Sequence, residues 1–88
     1  MSEFIPKESD KEWMRNLFRM LNVGGTWGTS WAIYKKIDEN TLATTLGMEI
    51  FFPKEVIEDN INRVKIVCEA VGIKYEDRRK ENLDEYTK

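Results

Sequence analysis

From Thr26 the chain abandons the three- and four-residue spacing of apolar side chains that precedes it and takes up a spacing of two. This change of period constrains the fold more than any other feature, because a helix-period pattern cannot sit as a strand, nor the reverse. Trp27, Trp31, Ile33 and Ile37 fall on one face of a first strand rich in aromatic and β-branched residues. A second run, Leu42 to Phe52, alternates in the same way. Between them Asp38-Glu39-Asn40-Thr41 is a polar turn in which Asn40 is the residue most tolerant of a left-handed conformation. The two runs predict a β-hairpin.

Register follows from the faces, since a one-residue slip moves every side chain of a strand to the other side. Ile37 opposite Leu42 pairs Lys35 with Thr44, Ile33 with Leu46, Trp31 with Met48 and Thr29 with Ile50. This large apolar face is expected to carry the helices. The opposite face pairs Lys36 with Ala43, Tyr34 with Thr45, Ala32 with Gly47 and Ser30 with Glu49, with Gly28 beside Phe51. Small and nearly uncharged, it is the expected surface for a partner, made of Gly28, Ser30, Ala32, Tyr34, Ala43, Thr45 and Gly47.

The flanking segments read as helices. Ser9 and Glu12 have capping-box spacing, and Trp13, Leu17, Met20 and Leu21, widened by Met14 and Phe18, make a broad apolar face ending near Asn22. Gly24 and Gly25 supply the permissive φ of a cap and turn. A second helix should run from Pro53, a residue suited to a first turn, to about Val71, with Ile57, Ile61, Val64, Cys68 and Val71 as its buried seam. Gly72 ends it, with Ile73 folding back on Cys68 in a Schellman cap. Ile73-Lys74-Tyr75 is a candidate third strand. These elements give a small α+β domain of order α-β-β-α-β over 9–75, preceded by an arm of residues 1–8. Residues 76–88 form a polar tail, frayed or a marginal helix carrying Leu83 and Tyr86.

Composition narrows the chemistry. A chain of 88 residues holds one core, and 41% hydrophobic with 34% charged residues is a globular balance. With no histidine and a single cysteine, imidazole-based zinc sites, Ser-His-Asp and Cys-His catalysis, and an internal disulfide are excluded. Cys68, at helical spacing among apolar residues, reads as a buried thiol of a reducing compartment. No segment approaches the ~20 apolar residues of a membrane span and the start lacks a secretory pattern, so the expected location is the cytoplasm, away from membranes. Fourteen Lys and Arg against sixteen Asp and Glu give a net charge of −2, with the signs interleaved and no broad phosphate-binding footprint.

Four constellations invite a functional reading. Gly24-Gly25-Thr26-Trp27-Gly28 could cradle a phosphate, but no Lys-Ser/Thr follows and the order is helix to strand, so cap and turn account for it. Trp27, Trp31 and Tyr34 could stack bases, with Tyr34 the one expected to be exposed; both tryptophans read as core. Lys11, Arg15 and Arg19, extended by Lys35 and Lys36, could meet nucleic-acid phosphates, but such residues are more often the solvated side of an amphipathic helix. Glu55, Glu58 and Asp59 at the start of the second helix answer its dipole.

No catalytic, metal or cofactor site is expected. The function expected is that of a non-enzymatic interaction or regulatory module. It would be homodimeric and bind an unidentified protein partner, in the manner of an accessory protein of a virus or mobile element. Nucleic-acid binding through Lys11, Arg15, Arg19, Tyr34, Lys35 and Lys36 is the alternative, and a histidine-free enzyme the remote one.

Overall fold

The computed structural model describes residues 4–79. Its elements run α1 (Glu8–Met20), β1 (Thr26–Gly28), β2 (Ala32–Asp38), β3 (Thr41–Gly47), α2 (Lys54–Ala70) and β4 (Lys74–Asp77). The fold is α+β, with one four-stranded sheet of order β1-β2-β3-β4. β1, β2 and β3 are successively antiparallel, and β4 joins β3 in parallel after the α2 crossover. Both helices pack on one face of this sheet, around Met14, Phe18, Ala32, Tyr34, Leu42, Ile57, Ile61, Val64 and Cys68. Among the described residues no helix is long and apolar enough to cross a membrane. The expected last helix with Leu83 and Tyr86 lies outside the described residues.

The hairpin is present, but its first strand is broken. Thr29 Oγ1 accepts from the backbone N–H groups of Trp31 (3.1 Å) and Ala32 (3.0 Å), and Thr29 N–H donates to Ala32 O at 2.8 Å. This hydroxyl-centred turn folds Thr26–Gly28 back on β2, a local competition between side chain and ladder that apolar period does not report. The second strand ends at Gly47 instead of Phe52. Met48 O there accepts from Phe51 N–H (3.0 Å) and Phe52 N–H (3.1 Å), closing a turn.

Register decides the core. Ala32 pairs with Gly47 and Ile33 with Leu46, as the faces predict. The pairing then slips by one, so that Tyr34 meets Thr44, Lys35 meets Ala43 and Lys36 meets Leu42, and it slips back between Lys36 and Asp38. Between these two bulges Leu42 and Thr44 change sides and join Ala32 and Tyr34. The face expected to be bare is therefore the one the helices cover. Its small residues let α2 come close: a Cβ on Gly47 would stand 3.3 Å from Ile57 Cγ2. The other face carries Ile33, Lys35, Leu46 and Ala43, the last fully buried beside Glu76.

The ends of the helices differ in how local they are. α1 starts one residue before Ser9, and Asp10 rather than Glu12 reaches back, its Oδ2 accepting from Lys7 N–H at 2.8 Å. Its buried side is centred on Met14 and Phe18, leaving Met20 exposed. After it, Gly25 N–H donates to Asn22 O at 2.8 Å across Gly24, whose φ of +88° makes this a type II turn. Pro53 caps α2 from outside its first turn. At the other end Ile73 N–H donates to Cys68 O (2.8 Å) and Gly72, at φ +81°, to Glu69 O (3.3 Å), the Schellman pattern expected.

Candidate interaction surfaces

Of the residues read as nucleic-acid contacts, two are inside. Lys36 is 4% exposed, and its Nζ donates to Phe18 O (3.0 Å) and Leu21 O (3.1 Å), lies 4.3 Å from the centre of the Phe18 ring and faces Glu39 at 3.6 Å. It satisfies carbonyls that α1 leaves open at its C-terminus, where the helix dipole favours a cation. Tyr34, expected to be exposed, is fully buried and donates its hydroxyl proton to Asn60 Oδ1 at 3.0 Å. Burial raises its phenol well above the ordinary value. On α1, Lys11 pairs with Glu8 and Arg19 donates to Asn16, while Arg15 and Lys35 are exposed on separate elements. The six do not form one surface.

The residues read as a partner face are likewise divided. Ala32, Tyr34 and Gly47 lie beneath the helices, Gly28, Ala43 and Thr45 belong to the other side or to the bulge, and Ser30 is in the β1–β2 turn. The register slip at Thr45, whose hydroxyl donates to Ile33 O at 3.2 Å, displaces Ala43 and Thr45, and the Thr29 turn takes Gly28 and Ser30 out of β2.

Two features stand out on the surface instead. The first is the turn that follows β3, where Ile50 is 85% and Phe51 72% exposed. Leaving each in water forgoes about 1.5–3 kcal/mol of burial. The tip is held from below: Phe52 packs against Trp31, ring centroids 6.3 Å apart. Arg79 lies within 3.5 Å of Glu49 in the same turn, 2.9 Å of Glu58 and 2.7 Å of Asp77. Hydrogen bonds from Arg79 also keep the Asp77 carboxyl below its ordinary range. Three consecutive apolar residues, Ile50-Phe51-Phe52, break the two-residue alternation and were the signal available for this turn. Arg79, in a segment read as polar tail, gave none.

The second feature is the β1 edge with the aromatic stack behind it. Trp27 stacks on Tyr34 (centroids 4.9 Å, planes 25° apart) and receives Trp13 of α1 edge-on at 5.3 Å. Trp13 is 48% exposed, so the stack runs from the core to the surface.

Cys68 is fully buried and desolvation pushes its thiol up to about 12, the reverse of an activated nucleophile. Thr44 and Tyr75 share a hydrogen bond beneath α2, and burial moves the Tyr75 phenol to about 12. Among the described residues no group of three or more Cys, Asp or Glu is placed to hold a metal ion. No protein-family model, curated protein or solved structure matches the chain.

Proposed function

We propose that this domain is a non-enzymatic interaction module of the cytoplasm, homodimeric, which presents the Ile50–Phe51 tip to a protein partner in the manner of a small accessory protein. The carrying observation is the exposure of two adjacent large apolar residues on a turn tied down by Phe52, Trp31 and Arg79. Large aliphatic and aromatic side chains held in one geometry lose little entropy when they enter a partner's pocket, which is how an anchor gains affinity. Glu49 beside the tip disfavours an anionic lipid surface as its target.

A photoreactive phenylalanine analogue at position 51, in cells that make the protein, is expected to give a protein adduct that the same group at exposed Lys65 does not. Identical adducts at both positions, or none at 51, would remove the tip from the interaction. Sedimentation of the purified chain at high micromolar concentration is expected to report a dimer, and a monomer there ends that part of the proposal.

A further inference from the structure

The homodimer proposed above leaves open which surface joins the copies, and the two edges of the sheet are not equivalent. Edge strand β4 carries Lys74, Glu76 and Asp77 in four residues, the charged guard that keeps an edge from pairing. Edge strand β1 is Thr-Trp-Gly, continued by Gly25 before it and Thr29 after it, with no charge and no proline. Its inward hydrogen bonds are fixed by neighbours: Thr29 N–H donates to Ala32 O, and Lys36 N–H to Gly25 O. In an antiparallel ladder such bonds come at alternate residues, so Trp27 bonds inward while the N–H and C=O groups of Thr26 and Gly28 point to the open side.

We propose that β1 pairs antiparallel with β1 of a second copy about a two-fold axis at Trp27, joining two four-stranded sheets into one of eight. The register is self-complementary. Thr26 of each copy exchanges both backbone bonds with Gly28 of the other, giving about four hydrogen bonds. Trp27 then faces its symmetry mate as a directly opposed, non-hydrogen-bonded pair, the closest cross-strand arrangement for two large rings. On the helix side this extends the stack from Tyr34 through Trp27 across the axis, and the half-exposed Trp13 shields its rim. A strand from another protein would find the same backbone groups but not this aromatic match.

The inference rests on the homodimer reading, and the test separates the two. Thr26→Pro removes an outward N–H and no inward bond, so the chain is expected to keep its circular dichroism and sediment as a monomer. Thr26→Cys with Gly28→Cys places thiols on opposed residues about 5.5 Å apart between backbones, within disulfide range. The Cβ at Gly28 has room, its nearest neighbour being Ile33 Cγ1 at 3.8 Å. Mild oxidation is expected to give a covalent dimer from the double variant and not from either single one, whether or not Thr26→Pro folds. A wild-type monomer at high micromolar concentration overturns both the homodimer and this edge. A wild-type dimer that gives no cross-link, or that survives Thr26→Pro, overturns the edge and leaves the homodimer standing.

Discussion

At the scale of single residues, Lys36 is the most consequential side chain. Its period-two position puts it beside Tyr34 on the helix-covered face, where an ammonium group is tolerable only because the Phe18 and Leu21 carbonyls accept from it. Lys36→Met keeps the apolar stem and leaves those carbonyls unpaired beneath the fold. Urea denaturation should show a loss of about 2–3 kcal/mol, and a loss below about 0.5 kcal/mol would mean that water replaces the ammonium without cost. By contrast Ile50→Ser with Phe51→Ser should change stability by less than about 0.5 kcal/mol, since neither side chain contributes to the core. The same double variant should bind a hydrophobic dye more weakly than the parent chain. Sequence alone placed Lys36 among solvated cations, because nothing local distinguishes a lysine that bonds a helix end from one that faces water.

Among the elements, the Thr29 turn and the Gly72 cap test how local chemistry sets boundaries. Thr29→Val removes the acceptor for two backbone donors while preserving shape, and should cost about 1–2 kcal/mol. Amide exchange at Trp31 and Ala32 should accelerate more than at β3; equal acceleration throughout would place the effect elsewhere. Gly72→Ala forces a Cβ into φ +81° with nothing else within 4 Å, so its cost of about 1 kcal/mol is backbone strain alone. The α2 seam and the Schellman cap were legible because both depend on residues within one or two turns. The strand break at Thr29 was not, since a threonine in a β-rich run is more often simply a strand residue.

For the molecule as a whole, two weak acids, Tyr34 and Cys68, are buried and a third, Tyr75, is partly buried, and the fold favours the neutral form of each. Tyr34 and Tyr75 rise from 10.0 and Cys68 from 9.0, the last two to about 12, chiefly by desolvation. Folded values above unfolded ones mean that this contribution is complete below pH 9.0 and is lost as pH rises towards 12. Unfolding free energy should therefore be level from about pH 7 to 8.5 and then fall, by at most about 1.4 kcal/mol per pH unit for each group. Tyr75→Phe should make the fall shallower. Stability unchanged at pH 11 would show that these groups are not held neutral by the fold.

Taken alone, the sequence determined that two amphipathic helices flank an aromatic hairpin, that Gly72 closes α2, and that no imidazole chemistry is present; the glycine cap expected for α1 is not there, since that helix ends through an extended Leu21 and Gly24 serves the turn that follows. Those follow from hydrogen bonds and apolar periods spanning a few residues. Only the tertiary structure decided which sheet face is inside. That choice turns on the slip at Thr45, which carries Leu42 and Thr44 to the side of Ala32 and Tyr34, and on the space that Gly47 leaves for Ile57. Both are matters of volume between elements remote in sequence. The Thr29 turn made β1 the uncharged edge, and the turn closed on Met48 O left Ile50–Phe51 as the exposed tip.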